Sequence, residues 1–108
     1  MLVAALAGCS GPVGPYRDGE PLAVGDSVAY ELHTHCGIGE VRIGAAYFAT
    51  PELLSDGNGN PPPGWGNPVQ KGELTLVSAD EARFADEAGH QITLVIRPGA
   101  TSYRASCT

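Results

Sequence analysis

From Asp26 onward, apolar and polar residues alternate with a period of two. Val28, Tyr30, Leu32, Thr34 and Cys36 fall on one face, and Ala29, Glu31, His33 and His35 on the other. A β-strand sends successive side chains to opposite sides, so this pattern predicts a half-buried strand with Cys36 pointing inward. Cys36-Gly37-Ile38-Gly39 reads as a turn or bulge. Residues 40–49 then resume the alternation, with Val41, Ile43, Ala45 and Tyr47 on one side, and the two stretches are expected to form a hairpin. Residues 72–77, 82–85 and 91–97 read as three further strands in a meander, with turns between them at residues 78–81 and 86–89. A last short strand is expected around residues 101–105.

Residues 50–68, TPELLSDGNGNPPPGWGNP, break the period. Gly, Pro and Asn at that density exclude a regular element, and loops of such length are commonly functional. Five or six short strands without a helix predict an all-β fold, either a small antiparallel sandwich or an open barrel. The 15 Gly and 9 Pro among 108 residues agree, since both residue types favour turns over long helices. A hydrophobic share of 43% is enough for one folded domain. Twelve acidic residues against six basic ones give a net charge of −6, with no basic cluster. That balance argues against a nucleic-acid partner and against docking on anionic lipid through protein charge.

The N-terminus changes the picture. Residues 1–8, MLVAALAG, are apolar or small, and Leu6-Ala7-Gly8-Cys9 resembles a bacterial lipobox. In lipoproteins carrying that motif, a diacylglyceryl group is attached to the cysteine and a peptidase cuts before it. The resemblance implies lipidation of Cys9 and a partner in the membrane itself, since two acyl chains suffice for durable anchoring. A basic n-region is missing, so residues 1–8 are expected to be a truncated signal peptide. Residues 9–25 are Gly/Pro-rich and read as the lipidated cysteine followed by a disordered, flexible tether, leaving residues 26–108 as the β domain. The expected location is the extracytoplasmic face of the cell membrane.

With Cys9 set aside, Cys36 and Cys107 remain as an even pair, which in an oxidising compartment reads as one disulfide. Such a long loop implies roughly 4 kcal/mol of stabilisation. The rival reading is a reactive thiol at Cys36 beside His35. Glu31, His33 and His35 share one strand face and form a candidate metal site, joined by His90 through a tertiary contact; the alternative is a solvent-facing polar stripe. Asp56, Asn58 and Asn60 imitate the opening of a calcium loop, but Pro61 and Asn67 stand where Gly and Glu are needed, which leaves turn chemistry. Trp65, in PPPGWGNP, could present its indole to a glycan or partner surface, with Tyr47 as a second ligand-binding candidate. Its alternative role is a lid folded back on the core. No serine sits in a nucleophile motif, so no catalytic residue and no cofactor are expected.

THCGI at residues 34–38, NPPPGWGNP at 60–68 and GELTLVSADEARF at 72–84 resemble small secreted proteins and lipoproteins of actinobacteria. That group has no assigned activity, so the resemblance implies export and β structure and transfers no catalytic residue. The functional expectation is a non-enzymatic, lipid-anchored accessory or binding protein of the cell envelope, with an envelope protein or glycan as its partner. The alternative is a small ligand-binding barrel using the 50–68 loop and Trp65.

Overall fold

The computed structural model describes residues 15–104. They form β1 (Ser27–His33), β2 (Ile38–Ile43), β3 (Ala46–Leu54), β4 (Val69–Ser78), β5 (Glu81–Ala85) and β6 (Gln91–Ile96). All six belong to one antiparallel sheet, ordered β1-β4-β5-β6-β3-β2 and curled into a half-barrel, with no helix among the described residues. The expected all-β fold is the one observed, as an open barrel rather than a sandwich. The signal segment 1–8, Cys9 and Cys107 lie outside the described residues.

The meander forms as its alternation predicts. Leu74 lies opposite Phe84 on β4 and β5, and Ala82 opposite Leu94 on β5 and β6, all four buried on the inner face. Gly72 belongs to the same packing. A Cβ there would stand 2.4 Å from the Phe84 ring, so only glycine lets that ring cover the strand. Along β1, Tyr30 and Leu32 are buried and Ala29, Glu31 and His33 exposed, also as predicted.

Three expectations about strand pairing are corrected. First, β1 pairs with β4, from Ser27↔Thr75 to His33↔Val69, and not with β2. Second, residues 40–49 are not one strand. The chain reverses at Gly44-Ala45, where Gly44 takes φ +59°, and β2 and β3 form the hairpin instead, with Val41 opposite Phe48. The reversal shifts the inward parity, so Phe48 faces the core and Tyr47 the outer surface. Third, β3 continues to Leu54, which shortens the irregular loop to residues 55–68. Pro51 is tolerated because the β3–β6 ladder stops just before it, at Ala49↔Val95. Arg97 N–H donates to Tyr47 O at 2.8 Å, and the same register puts Pro51 at the next bonded position but one, where it has no N–H to donate.

Both ends of the described chain also differ from expectation. Residues 101–104 form no strand. Gly99, at φ +76°, turns the chain away after β6, and the segment crosses the outer face, where Tyr103 meets Tyr47 edge-on at 5.1 Å. At the other end, the tether expected over residues 9–25 reaches into the domain. Tyr16 is 9% exposed, its ring lies 6.1 Å from that of Tyr30, and its N–H donates to Ala29 O at 2.7 Å. An aromatic side chain with core to cover stays on the fold despite the surrounding Gly and Pro.

Candidate functional site

Two features adjoin where β1 ends. The first is the 55–68 loop. Thr34 N–H donates to Pro68 O at 2.8 Å, the Thr34 hydroxyl to Gly66 O at 2.6 Å, and Cys36 N–H to Gly59 O at 2.8 Å. Within the loop, the Asp56 carboxylate accepts from Asn58 N–H at 2.7 Å and from the Asn60 N–H and side-chain amide, each at 3.3 Å. The Asn58 bond, then those from Asn60, hold its carboxyl below the usual range. The calcium-like spacing is therefore occupied by turn chemistry.

Trp65 stacks on the His90 ring, with centroids 4.0 Å apart and planes at 23°, and lies 6.2 Å from the Phe84 ring. It packs against the core as the lid, one of the two roles open to it from sequence. His90 Nδ1 is 2.7 Å from Asp86 Oδ2, and the Asp86 side chain is only 2% exposed. Burial pulls the Asp86 carboxyl upward, but bonds from the His90 ring, the His90 N–H and the Ala88 N–H outweigh it and leave the group below its ordinary value. Tyr47, the other ligand candidate, is on the outer face, 7% exposed, with its hydroxyl donating to Thr101 O at 3.3 Å and the Arg42 guanidinium 5.6 Å from its ring centre. The two candidates do not share a pocket.

The second feature is the seam between β1 and β2, the two edges of the sheet. Residues 16–20 bridge it: Tyr16 bonds Ala29 on β1, Gly19 N–H donates to Arg42 O on β2 at 3.0 Å, and Gly44 N–H donates to Glu20 O at 3.0 Å. Asp18 is the node. Its carboxylate accepts from the Tyr30 and Tyr103 hydroxyls, each at 2.5 Å, and from Arg42 N–H at 3.3 Å. Burial, and then the Asp18 charge, push the Tyr30 hydroxyl well above the phenol range; burial and the Asp18 bond do the same to Tyr103.

Below Asp18 the seam opens into a cleft of about 400 Å³, lined by His33, His35, Cys36, Glu40, Leu53, Tyr103 and Arg104 together with Gly37 and Gly39. Glu40 accepts from Arg97 Nη1 and from Arg104 N–H. The Arg104 guanidinium donates to Thr50 O at 3.0 Å and Gly39 O at 3.3 Å. The imidazoles of His33 and His35 have no hydrogen bond or ion pair among the described residues, although the His35 N–H donates to Pro68 O at 3.2 Å.

The metal expectation is corrected. No three His, Cys, Asp or Glu side chains among the described residues come together to hold an ion. Same-face positions on a strand lie almost 7 Å apart, so Glu31 stays out of the cleft that His33 and His35 line, and His90 is engaged by Asp86. Cys36 is in a disulfide, which removes the reactive-thiol alternative; its partner lies outside the described residues. Asp18, Glu40 and Arg104 were missed by sequence reasoning. The only signal was Tyr16-Arg17-Asp18, a polar and aromatic break in an otherwise Gly/Pro-rich stretch.

Comparison with family models, curated proteins and solved structures finds no match to this chain. Among the described residues, no helix is long and apolar enough to cross a membrane.

Proposed function

We propose that the protein is a lipid-anchored, extracytoplasmic β-barrel that serves the cell envelope as a binding or accessory protein rather than as a catalyst. The observation that carries this reading is the disulfide at Cys36, because such bonds persist in oxidising compartments. The chain has two other cysteines, Cys9 and Cys107. Arg104 lines the same cleft as Cys36, and Cys107 follows three residues later, a reach of up to roughly 10 Å. Pairing Cys36 with Cys107 leaves Cys9 for the lipid, whereas pairing it with Cys9 would eliminate the anchor. A non-catalytic role is supported by how the best-placed carboxylates are engaged: Asp18, Glu40 and Asp86 all accept bonds that hold the scaffold together.

Membrane contact through Cys9 and an envelope protein or glycan as partner follow from this reading and from the resemblance to secreted actinobacterial proteins. The alternative, a ligand-binding barrel worked by Trp65 and the 50–68 loop, requires the indole to leave His90 and Phe84 before it meets a ligand. Mass spectrometry tests the proposal on protein isolated from membranes without reduction. The expected result is a Cys36–Cys107 cross-linked peptide and a diacylglyceryl-modified Cys9. A Cys36–Cys9 cross-link, or an unmodified thiol at Cys9, would overturn it.

A further inference from the structure

The DGNGNP run at residues 56–61 sets up a reaction of the chain with itself. The side-chain amide of an asparagine is open to attack by the backbone nitrogen of the next residue, which closes a succinimide ring. The attack needs an N–H on that residue and goes best with no Cβ in the way. The chain has three asparagines. Asn60 and Asn67 precede Pro61 and Pro68, whose nitrogens carry no hydrogen and cannot close the ring. Asn58 precedes Gly59. Two Asp-Gly pairs, Asp18-Gly19 and Asp56-Gly57, have the same ring open to them with loss of water. There, however, Gly19 N–H donates to Arg42 O at 3.0 Å and Gly57 N–H to Ser55 Oγ at 3.2 Å. Gly59 N–H donates to no acceptor among the described residues, and the Asn58 side-chain amide makes no hydrogen bond there either. Both residues are exposed. Asp56 accepts from the N–H groups on either side of Gly59, from Asn58 at 2.7 Å and Asn60 at 3.3 Å, so the turn is held while its reacting groups stay unengaged.

We propose that Asn58 is a self-modification site, converted through a succinimide and water into aspartyl and isoaspartyl residues, and that the conversion loosens the loop's hold on Cys36. The Gly59 nitrogen gives its proton to solvent base and attacks Asn58 Cγ. The N–Cγ bond forms, the Cγ–Nδ2 bond breaks, and Nδ2 leaves as ammonia with a proton from solvent. Water then opens the ring. Addition at Cγ breaks the new N–Cγ bond and yields aspartate. Addition at the Asn58 backbone carbonyl carbon breaks the original peptide bond instead and yields isoaspartate, whose main chain runs through Cβ and Cγ. Nothing is oxidised or reduced, and either product adds one carboxylate to a chain of net charge −6. The new charge appears beside Asp56, whose carboxylate sits on the N–H of residue 58, and like charges at that range oppose each other. The isoaspartyl chain is also longer by one methylene. It displaces Gly59, whose O accepts from Cys36 N–H at 2.8 Å, and strains the bond from Asp56 N–H to Asn60 O at 3.0 Å. The reaction is independent of any anchor at Cys9 and lies beyond the binding role proposed above.

The test ages the oxidised protein at neutral pH, once native and once unfolded in urea, and maps the products by peptide mass spectrometry, with fragmentation that separates aspartyl from isoaspartyl. The expected result is replacement of NH2 by OH at residue 58 alone, with a native rate within tenfold of the unfolded one. The rate should rise several-fold from pH 7 to pH 8, because the attacking nitrogen must first lose its proton. Asn58→Gln should stop the reaction, since the extra methylene enlarges the ring and slows its closure. In the isolated isoaspartyl form, the Cys36 amide should exchange with solvent at least tenfold faster than in the parent. A native rate more than tenfold below the unfolded one would show that the turn shields Asn58 and would overturn the proposal. Modification of Asn60 or Asn67 at a comparable rate, or its persistence in Asn58→Gln, would do the same. Unchanged exchange at Cys36 in the isoaspartyl form would overturn the loosening.

Discussion

The 55–68 loop and the β1–β2 seam adjoin at the end of β1, and they treat polar groups in opposite ways. In the loop, Thr34, Cys36, Asp56 and the Asp86–His90 pair all meet partners, and Trp65 lies on His90 above Phe84. In the seam, Asp18 and Glu40 are engaged, but the His33 and His35 imidazoles hold no bond among the described residues and line a cleft. The loop has the composition that suggests function, with its prolines and single Trp, yet it packs Trp65 on the core as a lid. The seam has no such signature, yet it holds the uncommitted chemistry. A segment rich in unusual residues can be unusual because a tight closure demands it.

Changes on the closed side should be expensive and those on the open side cheap. The largest effect is expected at Phe84, fully buried beneath Gly72 and Trp65. Phe84→Ala should cost about 3–5 kcal/mol in urea unfolding, with a red shift of Trp65 fluorescence as the lid loses its floor. Next comes Cys36→Ser, which removes the disulfide and should cost about 2–4 kcal/mol, lowering the urea midpoint. A midpoint unchanged under both reduction and substitution would show that the bond contributes nothing.

Asp86→Asn tests the base of the lid more finely and should cost about 1–2 kcal/mol at neutral pH, since three donors lose a charged acceptor. Its folded carboxyl is held below the ordinary value. The stabilisation is therefore complete above the unfolded value near pH 4 and is lost as the pH falls through the folded one. The gap in stability between the wild type and Asp86→Asn should narrow in acid; a gap that widens would contradict the assignment. The smallest effects belong to the seam. His33→Ala and His35→Ala should each change stability by about 0.5 kcal/mol or less, because neither imidazole holds a bond among the described residues.

Much of the fold was legible in the residues, and the reasons for what was not are local. Alternation located the strands and assigned the faces of β1 correctly, because side-chain direction depends only on the strand itself. It could not choose the partner of β1, which depends on β4, some forty residues away. The Gly44-Ala45 reversal was hidden because Ala45 and Tyr47 continue the apolar beat of Val41 and Ile43 straight through a two-residue turn. Pro51 disguised the second half of β3, although a proline sits without cost where a ladder has already ended. Of the site, His33, His35 and Cys36 were visible as residues. Asp18 was not, since a short segment among Gly and Pro carries no sign that its Tyr16 is buried in the core.

The central claim is that the loop is closed and the seam cleft open, and native-state amide hydrogen exchange on the oxidised protein tests it most directly. Thr34 and Cys36, bonded to Pro68 and Gly59, should exchange slowly, through global unfolding. His33 and Glu40, which line the cleft, should exchange many times faster. Comparable protection at both sets of amides would contradict the account.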